Sequence, residues 1–257
     1  MAWLRKRVIP CLLLNTSGGL VKTIKFRDPK YVGDPINAVR IFNDKEVDEL
    51  IVLDIKASVE GRGPAFGTLH DIVDECFMPL AYGGGIRSVD DARAILSMGV
   101  EKVVLNSHAV GNPKLVEQVA TEFGSQAVVV SIDTKKKLFG GYDTLTMGGS
   151  KRTGHDPVAL ARRMESAGAG ELLINAIDRD GTMQGYDIDL VASVCTQVQI
   201  PVIAAGGARA IDDLRQVLVD GHASAAAAGS MFVFTGPHRA VLITYPNKDQ
   251  LKELWYV

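Results

Sequence analysis

Residues 79–107 read PLAYGGGIRSVDDARAILSMGVEKVVLNS, and residues 201–229 read PVIAAGGARAIDDLRQVLVDGHASAAAAG. A shift of 122 residues lays Pro79 on Pro201, Gly84–Gly85 on Gly206–Gly207, Asp90–Asp91 on Asp212–Asp213 and Gly99 on Gly221. Both stretches run in the same order: a short apolar run, a glycine pair, an amphipathic segment opened by two acidic residues, a glycine, and a second small or apolar run. The chain is therefore two copies of one half, about 1–123 and 124–257.

The pattern continues on either side. Short apolar runs at 7–13, 50–55, 78–82, 102–106, 126–132, 171–177, 201–205 and 223–228 alternate with amphipathic segments. Those segments fall near 34–46, 67–76, 88–98, 112–122, 156–167, 188–197, 210–219 and 247–255. Near-continuous apolar runs are what parallel strands covered on both faces require. Eight β–α units with an internal duplication predict one (β/α)8 TIM barrel domain over 1–257, an α/β fold, and not an open doubly wound sheet. Ser88, Asn112 and Asp156 stand where helix N-caps are expected, the last two directly before a proline.

Composition narrows the partners. The 257-residue length suits one large barrel, and 47% hydrophobic residues supply its core. A net charge of −2 gives no reason to expect nucleic acid or an anionic membrane as partner. No apolar run is long enough to span a bilayer. The start MAWLRKRVIPCLLLN is broken by Pro10 and lacks a small-residue cleavage site, so it reads as a first strand and not as a signal peptide. Cys11, Cys76 and Cys195 are far apart without metal-ligand spacing and are expected to be buried thiols in a reducing cytoplasm. His70, His108, His155, His222 and His238 form no cluster, so neither a metal nor another cofactor is expected.

The C-terminal ends of barrel strands form the rim where active sites assemble. Four strand ends carry glycine or small polar residues: YGGGI (82–86), LNSHA (105–109), AAGGA (204–208) and AAGSM (227–231). Each precedes a helix, where backbone N–H groups can cradle a phosphate without a charged side chain. One site in each half, around Gly84, Gly85, Asn106 and Ser107 and around Gly206, Gly207, Gly229 and Ser230, predicts a long ligand with a phosphate at each end. Two long, basic, glycine-bearing connections, 14–33 and 134–155, follow strands 1 and 5. They are expected to be the most mobile segments and to order on an anionic ligand, although some of their lysines must be ordinary surface.

Acidic residues end three strands: Asp54, Asp133, and Asp178 with Asp180. Any can move a proton, but a strand-end carboxylate more ordinarily binds a loop N–H or a lysine. Asp133 is the best placed, in the middle of the sheet and pointing into the mouth. In the other half VIPCLLLN aligns with VVVSIDTK, and Leu13 faces Asp133. At the opposite end, Arg7, Glu49, Lys102 and Glu171 begin strands 1, 2, 4 and 6. Spacing alone reads them as solvated charges on the face that serves stability, although alternating signs can also close a ring of ion pairs.

The runs RVIPCL, VDELIVLDI, GGGIRSVDDAR, KVVLNS, FGSQAVVVSID, GAGELLINAIDRDGT with GYD after it, and IPVIAAGGA resemble the cyclase subunit of imidazole glycerol phosphate synthase, the HisF family, over nearly the whole chain. A sibling barrel isomerase of histidine biosynthesis shares the duplication but matches the bottom charges and the DRDGT–GYD run less well. The resemblance implies that a HisH-like glutaminase docks at the barrel bottom and that its ammonia travels through the barrel to the rim. There the family closes an imidazole ring on a bis-phosphorylated ribulosyl substrate. It implies phosphate binding at Lys22, Gly85, Asn106, Gly181, Gly207 and Ser230, a gate of Arg7, Glu49, Lys102 and Glu171, and a catalytic role for Asp133.

The match breaks where the family's first catalytic aspartate should stand, which is Leu13 here. The loop NTSGGLVK departs from the family's lysine-aspartate-glycine run, Asn175 replaces a threonine, and FVFTGPHRAVLITYP replaces a shorter, more polar segment. These departures resemble a second HisF-like subgroup that accompanies a dedicated glutaminase and an N-acetyl sugar amidotransferase in surface-polysaccharide pathways. The expected role is therefore to receive ammonia and hand it on for sugar amidation, in O-antigen or lipopolysaccharide biosynthesis. The alternatives are a genuine histidine-pathway cyclase and a non-catalytic barrel that binds a phosphorylated ligand.

Overall fold

The computed structural model describes residues 5–255. Eight parallel strands close on themselves: β1 (Arg7–Leu14), β2 (Leu50–Asp54), β3 (Leu80–Gly83), β4 (Lys102–Leu105), β5 (Val128–Lys136), β6 (Glu171–Ala176), β7 (Val202–Ala205) and β8 (Ala225–Ala228). Each pairs with the next, and β8 returns to β1 with Ala225 opposite Arg7. Around them lie α1 (Pro35–Asp44), α2 (Phe66–Glu75), α3 (Val89–Ser97), α4 (Lys114–Phe123), α5 (Pro157–Ser166), α6 (Ile188–Cys195), α7 (Ile211–Val219) and α8 (Lys248–Trp255). The arrangement is the (β/α)8 TIM barrel that the duplicated pattern predicts.

Alternation along the strands sorts the side chains into two cores. Ile9, Ile51, Val104, Val129, Leu173 and Ile203, with Ala81 and Ala225, fill the barrel interior. Their neighbours in sequence, such as Val8, Leu12, Val52, Val103, Val128 and Leu172, face outward onto the helices. Both cores are almost entirely removed from water, so each fully buried leucine or isoleucine contributes about 1.5–3 kcal/mol.

Local chemistry fixes the helix starts. Ser88 accepts from Asp91 N while Asp91 accepts from Ser88 N, a capping box that opens α3. Asp156 and Asp34 accept from the first free N–H groups of α5 and α1, each with a proline at the first helical position. Asn112 does not cap with its side chain; α4 starts from Pro113, and only the backbone oxygen of Asn112 accepts, from Leu115 N.

The two long rim connections form regular antiparallel structure that their sequence did not suggest. Leu20–Ile24 pairs antiparallel with the end of β1, with Leu13 opposite Val21, and Arg27–Gly33 pairs with it in turn. Tyr142–Thr146 pairs with the end of β5, with Asp133 opposite Leu145, and Lys151–Arg152 follows. Both connections are hairpins that extend the barrel sheet above the rim. The basic residues dominated their sequence signal, while the alternating Val21, Thr23 and Leu145 that anchor them are few. The three cysteines also differ from expectation, since all are only half-buried. Cys11 faces the barrel mouth, where burial, partly offset by Lys22, pushes its thiol up to about 11.

Candidate functional site

A cavity of about 290 Å³ opens at the C-terminal ends of the strands. Asp133, Lys22, Gly84, Gly85, Asn106 and Ser107 line it together with Asn175, Gly181, Gly206, Gly207, Gly229 and Ser230. The candidate phosphate- and substrate-binding residues thus meet Asp133 in one mouth, although they lie far apart along the chain; of the other strand-end acids Asp54 and Asp180 also line it and Asp178 does not.

The glycine pairs stand where the backbone closes in on itself. A Cβ on Gly84 would lie 2.6 Å from the carbonyl oxygen of Asp54, and one on Gly206 2.8 Å from that of Ala176. A Cβ on Gly85 would meet the backbone of Gly63, and one on Gly207 the carbonyl oxygen of Gly185. Asp54 and Ala176, like Gly63 and Gly185, are again 122 residues apart, so the duplication extends to the loops that hold the rim. All four glycines have positive φ, which side-chain-bearing residues rarely adopt.

Asp133 sits on β5 with 8% of its surface exposed. Ser131 Oγ donates to one carboxyl oxygen and Asn106 Nδ2 to the other, both at 3.2 Å. Asn106 is itself held by the Ser131 carbonyl, to which it donates at 3.0 Å, and by Ser107 Oγ, which donates to its Oδ1. Ser107 in turn accepts from Met147 N, so the hairpin after β5 braces the residues beneath Asp133. Burial, reinforced by the charge of Asp180 and opposed by the two hydrogen bonds, pushes the Asp133 carboxyl up to about 7. A carboxyl there is poised to take or give a proton near neutrality. Asn175 lies directly beside it on β6, and its Oδ1 is buried with no hydrogen-bond partner in the protein.

The opposite wall is apolar. Leu13 pairs with Leu53 across β1 and β2, as Asp133 pairs with Asn175 across β5 and β6. Both leucines line the mouth. Lys22, which is buried, donates to the carbonyl oxygen of Cys11 at 2.6 Å and passes where any side chain on Gly229 would have to stand. Burial lowers its pKa, partly offset by Cys11 and Asp180. Asp180 accepts from Thr23 Oγ1 at 2.8 Å, and burial raises its carboxyl. The other two strand-end acids hold loops: Asp54 accepts from Lys56 N, Ala57 N and Arg62, and Asp178 accepts from Lys136 N.

At the other end of the barrel the four charges close a ring. Arg7 donates to Glu49 and Glu171, and Lys102 Nζ reaches the same two carboxylates at 2.9 and 3.0 Å. Burial alone would lower the Arg7 pKa, but Glu171 and Glu49 outweigh it and hold the guanidinium above its ordinary value. Glu49 and Glu171 are 2% and 6% exposed, so these are buried ion pairs and not solvated surface charges. Alternating sign, and the resemblance that implies a gate, were the sequence signals for the ring. They succeed because all four side chains fall in one inward-facing layer below Ile9, Ile51, Val104 and Leu173.

The family model for histidine biosynthesis proteins matches residues 7–237. A Pseudomonas aeruginosa protein named "Putative imidazole glycerol phosphate synthase subunit hisF2" is 51% identical over 96% of this chain and 98% of its own length. A Leptospira interrogans protein named "Putative imidazole glycerol phosphate synthase subunit HisF" is 48% identical over 98% of this chain and the whole of its own. The imidazole glycerol phosphate synthase subunit HisF of Alkaliphilus metalliredigens is 44% identical over 88% of this chain and 90% of its own.

The chain belongs to the HisF family of histidine biosynthesis proteins.

Within that HisF-type barrel, Thr23 and Ser131 also line the mouth, and sequence reasoning missed both. Ser131 stands two residues before Asp133 on the same face of β5, so a period of two would have found it. Thr23 directly follows Lys22 and both line the mouth, so no alternation pointed to it. No helix among the described residues is long and apolar enough to cross a membrane.

Proposed function

We propose that this HisF-family subunit works in the cytoplasm with a HisH-like glutaminase docked over the Arg7–Glu49–Lys102–Glu171 ring. It takes up ammonia through the barrel and delivers it at the rim for amidation of an N-acetyl sugar in surface-glycan biosynthesis. The observation that carries this reading is Leu13. Ring closure in the family rests on two acid–base carboxylates, and the position equivalent to Asp133 holds an aliphatic side chain beside Leu53. Losing one such group costs about 10²–10⁴-fold in rate. The bottom ring, which ring-closing chemistry at the rim does not itself touch, is complete.

The test pairs the purified subunit with its cognate glutaminase. Glutamine hydrolysis should proceed while cyclisation of the ribulosyl bis-phosphate stays negligible. Robust cyclisation would sink the reading.

A second reading, ring closure itself, is favoured by Asp180. This half-buried carboxylate stands in the same mouth, close enough that its charge raises the Asp133 carboxyl. Asp180 supplies a second acidic group from the turn after β6. Growth of a cyclase-deficient histidine auxotroph on this subunit and its glutaminase decides for that reading, and failure to grow decides against it.

A further inference from the structure

After β8 the chain makes a small hairpin, Phe234–Thr235 against Ala240–Val241, and its turn carries Arg239. The side chain reaches back to the barrel rim. Its Nη2 donates to the carbonyl oxygen of Gly181 at 3.1 Å and lies 3.5 Å from Ser230 Oγ. Gly181 and Ser230 line the mouth that Lys22 also lines, beneath Gly229. The guanidinium stacks on Phe234, 4.6 Å from the ring centroid, which fixes its plane.

Three features of Arg239 are costly, and an anion at the guanidinium would relieve the first two. Its Nε is buried with no hydrogen-bond partner. None of the ion pairs among the described residues includes it, so its charge has no carboxylate to balance it. Its backbone is left-handed at φ 51, a conformation that a long side chain adopts at a cost of about 1 kcal/mol or more. A partly buried guanidinium without a counter-charge is unfavourable unless an anion completes it. Lys22 is the other cation in this corner, and Asp180, the nearby acid, is held by Thr23.

We propose that Arg239 is an anion-binding residue: with Lys22 it makes the Gly181–Gly207–Ser230 corner a site for a phosphate monoester, and the C-terminal hairpin exists to deliver it. The proposal rests on the reading that the rim takes a phosphorylated ligand. It adds a cation that the duplicated half does not supply, because after β4 the short helix Ser107–Gly111 leads through Asn112 and Pro113 into α4 with no hairpin between them. The guanidinium fork matches phosphate geometry, and its Nη1 is free of protein partners among the described residues.

Inorganic phosphate titrated into the full chain tests this, read from the amide shifts of Gly181, Gly207 and Ser230. Arg239→Ala should weaken phosphate binding by about tenfold or more, the size of one charge-assisted hydrogen bond. Arg239→Gln keeps an amide donor for Gly181 but removes the charge. It should lose affinity similarly, and it decides the matter if Arg239→Ala does not fold. Arg239→Lys keeps the charge but not the fork or the stacking on Phe234, and should bind between wild type and Arg239→Gln. Phosphate affinity equal to wild type in folded Arg239→Ala or Arg239→Gln overturns the role of Arg239 and leaves the rim reading intact. Wild-type protein that takes up no phosphate at these amides overturns both.

Discussion

Leu13 and Asp133 occupy equivalent positions in the two halves of the barrel. Leu13 pairs with Leu53, Asp133 pairs with Asn175, and those partners are 122 residues apart, as the glycine pairs are. One wall of the mouth is therefore apolar and the other carries a carboxyl and a carboxamide. The two halves offer two equivalent seats for a carboxyl, and one of them is empty.

That asymmetry makes Leu13→Asp the informative substitution. It restores a carboxyl to the empty seat, facing Asp133 across the cavity. Ammonium-dependent cyclisation of the ribulosyl bis-phosphate should rise about 10²-fold over the parent chain. Stability should fall by about 1–3 kcal/mol, since Leu53 offers the new carboxyl no hydrogen bond. A folded variant with no gain in rate shows that the missing carboxylate is not what limits ring closure.

Asp133 also predicts a pH dependence of stability. Its carboxyl rises from the ordinary 3.8 to about 7 in the folded protein, mainly through burial. The native state therefore holds this proton more tightly than the unfolded chain. The resulting stabilisation is full below about pH 4, declines as pH rises toward 7, and is gone above it. Asp133→Asn removes this term. Denaturation midpoints of the two proteins should diverge between pH 4 and 7, with the variant gaining relative to wild type by up to a few kcal/mol, and run parallel above pH 8. Parallel curves throughout would place the proton elsewhere.

The barrel was legible because its signal is repeated. Eight apolar runs and a duplicated glycine motif survive errors of a residue or two at each boundary. The rim residues were legible because they cluster at strand ends. The hairpins were not, since their pairing partners Leu13–Val21 and Asp133–Leu145 belong to strands already assigned to the barrel. The buried state of the bottom ring was hidden for another reason. Arg7, Glu49, Lys102 and Glu171 look like surface charges one at a time, and only barrel closure turns four strand starts into one layer. Arg239 was unreadable because its partners, Gly181 and Ser230, are brought to it by tertiary folding alone.

The glycines of the rim divide by what surrounds them, and that division can be measured. Gly207 has φ 110 and presses on the backbone of Gly185, which cannot move without shifting the loop after β6. Gly207→Ala should cost about 2 kcal/mol or more. Gly67 lies in the first turn of α2 with nothing within 4 Å of a new Cβ. Gly67→Ala should be neutral or stabilise by about 0.5 kcal/mol, through the unfolded chain it restricts. Urea denaturation of the two variants reads both values. Equal effects would show that close backbone approach is not what demands glycine at the rim.

The bottom ring should behave as one unit. Glu49 and Glu171 are each shared between Arg7 and Lys102, so removing one cation leaves two buried carboxylates with a single partner. Lys102→Met should therefore cost about 3–5 kcal/mol, chiefly through the charge left uncompensated. Adding Glu171→Gln restores balance, because Arg7 and Glu49 remain as a pair. The double variant should then be more stable than the sum of the single losses predicts, by about 1 kcal/mol or more. Denaturant unfolding of the four proteins closes the cycle. Strictly additive losses would mean that the four charges are independent neighbours, and opening the ring at one ion pair would then leave the others undisturbed.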